Sequence, residues 1–152
     1  MSERHTIQSG HSNKFDWPLR VYYEDTDAGG IVYHANYLRF MERARTEWLR
    51  RLGFEQDRLR QELRLLFAVR SLEIDYRKPA LFNDELTVVT QLQQLRHASL
   101  TFSQRIVNCK TPATLLVQAS VKVACIDADS RRPVALPAAI KMGFEMEIED
   151  VG

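Results

Sequence analysis

The sequence has few of the features that mark several large classes of protein. Its 152 residues include only two cysteines, Cys109 and Cys125, with no CxxC pair and no cluster of cysteine with histidine. This usage is unlike a disulfide-rich secreted domain or a zinc site, and it predicts two buried, reduced thiols in a reducing compartment. The 21 Lys and Arg residues nearly balance 20 Asp and Glu residues, so charge gives no case for binding nucleic acid.

Long apolar segments are also missing. The longest uninterrupted run, LLFAV at residues 65–69, is far shorter than the roughly 20 residues that span a bilayer. The first 14 residues contain no apolar stretch of the kind found in a secretory signal. We therefore expect a cytoplasmic protein without a membrane span. The chain length predicts one domain, which we place at residues 15–145 between tails at 1–14 and 146–152.

Hydrophobic periodicity predicts an α+β domain. The alternation of Leu19, Val21 and Tyr23 with their neighbours predicts a first strand. An apolar stripe at spacings of three and four predicts a long helix over residues 34–52, and a short polar helix follows at 55–64. Period-two patterns then predict four strands, at residues 66–76, 85–95, 100–107 and 115–126. Four arginines of the long helix are predicted to form a solvated face: Arg43, Arg45, Arg50 and Arg51.

The order of these elements indicates how they pack. Short breaks between the last three strands favour antiparallel hairpins. One amphipathic helix and about five antiparallel strands must bury each other's apolar faces, so a curved sheet should wrap the helix. Such a sheet leaves edge strands exposed, which predicts a symmetric homo-oligomer. Pro133 and Pro137 interrupt the segment after the last strand, where the pattern predicts no more than a final turn of helix.

Polar residues suited to chemistry concentrate between the first strand and the long helix. Residues 24–37 read EDTDAGGIVYHANY, with two carboxylates, a glycine pair and a histidine near a helix N-terminus. Free backbone N–H groups and the helix dipole stabilise negative charge there, which suits acyl transfer. The residues alone leave a second interpretation open: Asp25 and Asp27 cap a turn or helix, and His34 is a surface histidine.

Other motif interpretations of this loop fail. An EF-hand would need Asp or Asn where Gly29 stands and Glu where Asn36 stands. The phosphate-binding patterns GxGxxG and GxxxxGK[ST] and the serine-hydrolase pattern GxSxG are absent. A phosphotransferase with an aspartyl nucleophile would need repeated strand–helix units, whereas four strands follow one another here. The residues alone therefore narrow the chemistry to one loop without naming the reaction.

The run VYYEDTDAGGIVYHANY at residues 21–37 resembles the signature of the 4-hydroxybenzoyl-CoA thioesterase family, and within it the Tol-Pal-associated acyl-CoA thioesterases (YbgC type). Further matches are FMERARTE at 40–47, SLTFSQRIVN at 99–108 and RPVALP at 132–137. The resemblance implies the hotdog fold, a five-stranded antiparallel sheet in the order 1-3-4-5-2 wrapped around one long helix. It also implies dimers or homotetramers with active sites between subunits.

The resemblance implies a hydrolase that converts acyl-CoA to the free acid and CoA. Asp27 matches the catalytic aspartate, which acts as a nucleophile through a mixed anhydride or as a general base on water. His34 assists Asp27 or protonates the leaving thiolate, and the backbone N–H groups of Tyr33 and His34 polarise the thioester carbonyl. Asp25 organises the loop.

The same resemblance implies residues that bind substrate. Glu42 aligns with a helix acid that contacts the ring hydroxyl in hydroxybenzoyl-specific members. Four residues match positions that meet the nucleotide end of CoA: Arg96, His97, Ser99 and Arg132. Taken singly, each of these four is equally well explained as a solvated polar group at a strand end. No metal or organic cofactor is implied, and an acyl carrier protein is a candidate partner.

Two other functions are compatible with the same loop. A hotdog enoyl-CoA hydratase also pairs an aspartate with a histidine, and it would hydrate a double bond without releasing thiol. A non-catalytic module that binds acyl-CoA or an acyl carrier protein would show saturable binding alone. The long thioesterase-type run disfavours the hydratase, and the presence of both Asp27 and His34 disfavours the module.

Overall fold

A computed structural model describes residues 14–110 and 113–149 of the chain. The predicted N-terminal tail up to residue 13 and the last three residues of the predicted C-terminal tail lie outside the described residues. In chain order, the elements are β1 (Lys14–Arg20), a 3₁₀-helix (Tyr23–Asp25), α1 (Asn36–Arg51), α2 (Gln56–Leu63), β2 (Leu65–Tyr76), β3 (Glu85–Leu95), β4 (Ser99–Asn108), β5 (Thr114–Asp127) and α3 (Ala138–Glu149).

The predicted helices and the four later strands are confirmed to within two residues at each end. The first strand is different, because it ends at Arg20 rather than continuing through Tyr23. After that point the backbone N–H of Val21 bonds to the carbonyl of Asp84, and the next residues turn into the 3₁₀-helix. The period-two pattern was misleading there, since Tyr23 is 75% exposed and packs on no strand face.

All five strands form one antiparallel sheet in the order β1-β3-β4-β5-β2, which confirms the hotdog order. The β3–β4 and β4–β5 pairs are hairpins, as the short breaks predicted. Strand β2 precedes these hairpins in sequence but pairs with β5, at the far side of the sheet from β1. The two edges are therefore β1 and β2, and helix α1 packs on the sheet between them.

The core forms where α1 meets the inner face of the sheet. The apolar stripe of α1 is buried, with Trp48 only 1% exposed at its centre. The Trp48 ring stacks on Phe15 of β1 at 6.1 Å and meets Phe102 of β4 at 6.0 Å. Each large apolar side chain buried in this way contributes roughly 1.5–3 kcal/mol. The packing explains why the strongest helical pattern in the sequence lies in the middle of the fold.

Helix α3 is longer than the single turn that the prolines suggested. It covers 12 residues and continues past residue 145, where the sequence analysis ended the domain. Ile140 and Phe144 are spaced one turn apart and are 0% and 1% exposed, because they cover one end of α1. Phe144 meets the edge of the Trp48 ring at 5.1 Å. Within the described residues, no helix is long and apolar enough to cross a membrane.

The two cysteines differ in burial, so the prediction of two buried thiols is wrong for Cys109. Cys125 is buried in β5, and its burial raises the pKa of its thiol to about 11. Cys109 is exposed because it follows the last residue of β4, where the chain leaves the sheet. Its sulfur lies 3.1 Å from the hydroxyl of Thr87.

A hydrogen-bonded amide lies inside the otherwise apolar core. Gln104 of β4 is fully buried, and its Nε2 donates to the carbonyl of Met41 at 3.0 Å and to Thr90 Oγ1 at 2.9 Å. Its Oε1 accepts a hydrogen bond from Nη1 of Arg45 at 2.9 Å. The amide therefore connects two strands to the helix, and none of its polar atoms lacks a partner. Buried polar groups of this kind are tolerated only when they are bonded.

Replacing Gln104 by leucine should destabilise the fold by about 1–3 kcal/mol, because the buried Thr90 hydroxyl and the Arg45 guanidinium lose a partner. Urea denaturation measures this loss. Gln91→Leu is the matched control on β3, since Gln91 is half-buried and its side chain has no hydrogen bond within the described part of the chain. We expect that control to stay within about 0.5 kcal/mol of the parent. Equal effects of the two substitutions would contradict the prediction.

Candidate active site

The chain between the 3₁₀-helix and α1 folds back on itself in a small turn. Thr26 and Val32 form an isolated antiparallel bridge across it. The N–H of Asp27 donates to the carbonyl of Ile31 at 2.9 Å, and the N–H of Gly30 donates back to the carbonyl of Asp27 at 3.0 Å. Gly30 has a φ of 81°, a conformation that glycine adopts without strain. The turn therefore places Asp27 at its beginning, on the surface of the single chain.

The buried residue Asp25 holds this turn against the start of α1. One carboxylate oxygen accepts the N–H of Tyr22 at 2.9 Å, and the other accepts the side-chain amide of Asn36 at 2.7 Å. Its backbone carbonyl accepts the N–H of Tyr33 at 3.0 Å. These bonds confirm the prediction that Asp25 organises the loop. They also explain its burial, because each carboxylate oxygen has a donor.

Asp27 has one oriented oxygen and one available oxygen. Its Oδ1 accepts the N–H of Gly29 at 2.8 Å, while Oδ2 has no partner among the described residues. A side chain at position 29 would crowd this carboxylate, since a Cβ there would lie 3.3 Å from Oδ1. The bond to Gly29 matches the turn-capping interpretation, but it uses only half of the carboxylate. The other oxygen remains free to meet a substrate.

The backbone amides next to this turn are not equivalent. The N–H of Tyr33 already donates to the carbonyl of Asp25, so the expectation that Tyr33 polarises a substrate carbonyl is wrong. The N–H groups of His34 and Ala35 have no acceptor in the described part of the chain. The carbonyl of Tyr33 accepts the N–H of Asn36 at 2.8 Å, which fixes the plane of the Tyr33–His34 peptide. The His34 amide is therefore oriented and free.

The imidazole of His34 lies between two tyrosines. Its centroid is 4.4 Å from the Tyr33 ring and 6.3 Å from the Tyr76 ring, which meets it edge-on. The Tyr76 hydroxyl donates to the backbone carbonyl of His34 at 3.0 Å. Tyr76 was not predicted as a site residue. It is separated from His34 by 42 positions, and only the fold brings the two together.

Glu42 lies on α1 two turns beyond His34, at a cleft between this helix and β2. The cleft has two parts, of about 250 Å³ and 140 Å³, that share Glu42, Arg45 and Val69. Most of the remaining lining is apolar: Leu38, Met41, Leu72 and Val121 in the larger part, and Leu49, Phe67, Leu100, Phe102 and Val123 in the smaller. Glu42 is therefore one of few charged groups on the wall of a largely apolar cleft.

Arg45 is the second charged residue shared by both parts of this cleft. The prediction that it belongs to a solvated face is wrong, because it is half-buried and bonded to Gln104. Burial lowers the pKa of Arg45, and the nearby charge of Glu42 opposes that shift. The sequence pattern missed this residue, since the partner that holds it lies on the sheet.

The four residues matched to the nucleotide end of CoA lie together, at one end of the sheet. Arg96 and His97 are in the β3–β4 turn, Ser99 is the first residue of β4, and Arg132 follows β5. The N–H of Leu136 donates to the carbonyl of His97 at 2.8 Å, which joins the two segments. Ser99 is buried, whereas the other three are exposed.

Asp27 and His34 lie at the opposite end of the same sheet. Strand β1 enters their loop at Arg20, which pairs with Glu85, the first residue of β3. Arg96 comes directly after the last residue of β3. Because β3 has 11 residues and a strand rises about 3.3 Å per residue, roughly 33 Å separates these two ends. A single chain therefore does not bring the two groups of predicted site residues together.

Within residues 14–110 and 113–149, no three His, Cys, Asp or Glu side chains converge as metal ligands. The chemistry available at the turn is that of a carboxylate, an imidazole and free backbone amides. Such a set can activate a nucleophile and stabilise an oxyanion.

Comparison with known proteins gives the same class of chemistry. A family model described as the thioesterase-like superfamily matches residues 21–144. The acyl-CoA thioesterase YbgC of Haemophilus influenzae is 48% identical over 132 residues, which cover 87% of this chain and 95% of that protein. The acyl-CoA thioester hydrolase YbgC of Escherichia coli is 50% identical over 131 residues, covering 86% and 96%. A solved 4-hydroxybenzoyl-CoA thioesterase with bound 4-hydroxybenzoyl-CoA has a TM-score of 0.81 at 18% identity, covering 86% and 98%, and supports the fold alone.

Replacing Asp25 by alanine should destabilise the chain by about 1–3 kcal/mol, because the Tyr22 N–H and the Asn36 amide lose their acceptor. Asp27→Ala is the control, since this exposed carboxylate has one protein bond, and it should change stability by no more than about 0.5 kcal/mol. Urea denaturation of both variants separates the two aspartates. A larger loss of stability for Asp27→Ala than for Asp25→Ala would contradict the prediction, because it would mean that Asp27 supports the loop.

Proposed function

The chain belongs to the thioesterase-like superfamily, and from that membership we propose that it hydrolyses acyl-CoA to the free acid and CoA at Asp27 and His34. One observation carries the placement of the site. A carboxylate with a free oxygen and an oriented, unbonded amide occupy the same turn, at the start of a long helix. This is the pair of groups that attack on a thioester carbonyl requires.

The His34 amide has the role of the oxyanion donor. Its N–H bonds the thioester carbonyl oxygen and strengthens that bond as the oxygen becomes negative in the tetrahedral intermediate. The positive end of the α1 dipole acts in the same direction. Losing one donor of this kind from an active site typically costs about 100-fold to 1,000-fold in rate.

Asp27 supplies the attack on the carbonyl carbon. In one route Oδ2 bonds to that carbon, CoA leaves as a thiolate that takes up a proton, and water cleaves the resulting anhydride. In the other route Oδ2 takes a proton from water as the water oxygen attacks. Both routes give the free acid and CoA. The imidazole of His34 supplies or receives protons, because a histidine side chain can act as an acid or as a base.

The cleft beside Glu42 is our candidate for the acyl site. It lies along α1, which begins two residues after His34, and its lining is largely apolar. An acyl chain that enters it loses contact with water, which is favourable by roughly 0.8 kcal/mol for each buried methylene. Glu42 and Arg45 would contact a polar substituent on the acyl group, and chains without one would meet the apolar walls.

We assign the nucleotide end of CoA to Arg96, His97, Ser99 and Arg132, and this assignment requires a second copy of the chain. One copy separates these residues from Asp27 by the length of a strand, so a substrate contacts both groups only where two copies meet. The edge strand β2 has exposed apolar residues for such a contact: Val69, Leu72 and Tyr76. We therefore propose a dimer or tetramer in which each site takes Asp27 from one subunit and these four residues from its partner.

Three finer points of the proposal rest on resemblance alone. They are a cytoplasmic location, an association with the Tol-Pal envelope system, and contact with an acyl carrier protein. The two alternative functions are an enoyl-CoA hydratase and a non-catalytic acyl-CoA binding module, and similarity to relatives named acyl-CoA thioesterases disfavours both. Assays of thiol release with short, long and aromatic acyl-CoAs, beside hydration of an enoyl-CoA, distinguish them.

Asp27→Asn should lower kcat for thiol release by about 10²- to 10⁴-fold, because the amide neither attacks the carbonyl nor accepts a proton from water. Thermal unfolding should stay unchanged, since Asp27 is exposed and makes one local hydrogen bond. Asp16→Asn makes the same chemical change on exposed β1 and should retain full turnover. Turnover by Asp27→Asn close to that of the parent would rule out the role given to Asp27.

A mixture of Asp27→Asn with the double variant Arg96→Ala/Arg132→Ala should regain activity if each site combines two subunits. After mixing equal amounts and refolding, half of the dimers are mixed and half of their sites are intact, so about a quarter of parental activity should return. Thiol release at acyl-CoA concentrations below KM measures it. The control mixes Asp27→Asn with His34→Ala, whose residues share one loop, and should regain nothing. No recovery in the first mixture would place the whole site in one chain.

A further inference from the structure

One hydrogen bond joins the edge of the sheet to the turn that contains His34. The hydroxyl of Tyr76, the last residue of β2, donates to the His34 carbonyl at 3.0 Å. We propose that Tyr76 is a positioning residue for the reaction: it fixes the peptide that links His34 to Ala35, and so keeps the His34 α-carbon, and with it the oxyanion-binding amide, in place. This inference rests on the proposed function, and it gives a role to a residue that does not itself touch the substrate.

The His34 carbonyl needs a donor from outside the helix. In a regular helix the N–H four residues later would fill that position, but the N–H of Leu38 instead donates to Ala35 at 3.2 Å. Helix α1 also begins without a side-chain cap, since Ala35 occupies the N-cap position. Within the described residues, the His34 carbonyl accepts a hydrogen bond from the Tyr76 hydroxyl and from no other donor. Without it, the peptide after His34 would be held only through its chain neighbours.

Other contacts of the turn fix the peptide before His34 but not the one after it. The Tyr33 N–H is bonded to Asp25, and the Tyr33 carbonyl accepts the N–H of Asn36. Tyr76 acts on the following peptide. Together these bonds hold both sides of the His34 α-carbon, and they leave its N–H free. A shift of about 1 Å at such a donor is enough to lose about 100-fold in rate.

The Tyr76 hydroxyl is itself well placed for this task. In the sheet register Tyr76 pairs with Val117 of β5. Its ring contacts the ring of the buried Tyr37 at a centroid distance of 5.7 Å. Partial burial raises the pKa of Tyr76, so the phenol keeps its proton and donates at neutral pH. The hydrogen bond from the end of β2 therefore fixes the turn that contains His34 relative to the edge of the sheet.

Tyr76→Phe removes the hydroxyl and keeps the ring. We expect kcat for thiol release to fall about tenfold while KM stays within about twofold, because the lost alignment matters in the transition state and not in substrate binding. Affinity for an unreactive S-alkyl-CoA thioether, which has no carbonyl for the amide to bind, should remain unchanged. The shape of the pH–rate profile should also persist, since no group that titrates near neutral pH is altered.

Tyr37→Phe is the matched control for a merely structural hydroxyl. It also removes a phenol that bonds to the backbone, but its partner is the Ala80 N–H. We expect Tyr37→Phe to lower the thermal midpoint and to leave kcat within twofold. Tyr76→Phe should instead lower kcat and leave the thermal midpoint unchanged. A kcat of Tyr76→Phe within twofold of the parent, or a loss explained by unfolding, overturns the inference. Failure of the proposed function is separate, since it would appear as absent thiol release by the parent chain.

Discussion

The candidate site depends on the hydrogen bonds of the buried Asp25 carboxylate. Each of its oxygens has a donor, one from the end of the first strand and one from the start of α1, and its backbone carbonyl takes the Tyr33 amide. These three bonds fix where the loop leaves the sheet and where the helix begins. Because the Tyr33 amide is used in this way, the amides that stay unbonded next to it within the described residues are those of His34 and Ala35.

The length of the sheet separates two groups of candidate site residues. The turn of Asp27 lies at the end where β3 begins, and the cationic residues lie where β3 ends, 11 residues away. A rigid, hydrogen-bonded strand does not shorten to bring them together. The same packing of a helix against a curved sheet leaves β2 as an edge strand with exposed apolar side chains.

Much of the fold was predictable because amphipathic patterns reflect burial directly. The stripe around Trp48 and the alternation in β3 to β5 indicate the same faces that the structure buries. The predictions failed where hydrogen bonds rather than burial set the backbone. Strand β1 ends early because Asp25 draws the chain into a 3₁₀-helix. Arg45 looked solvated on its helix because its partner, Gln104, is on a strand 59 positions later.

Three features follow from the amino-acid sequence alone: the order of the elements, the strongly amphipathic helix, and the loop before that helix with its carboxylate and histidine. These are local properties, since they depend on residues a few positions apart. Long-range contacts set the rest: which amides of the loop stay unbonded, that Tyr76 reaches the His34 carbonyl, and that Arg96 and Arg132 lie at the other end of the sheet. Those facts depend on strand register and on hydrogen bonds between residues far apart in the chain, which no local pattern encodes.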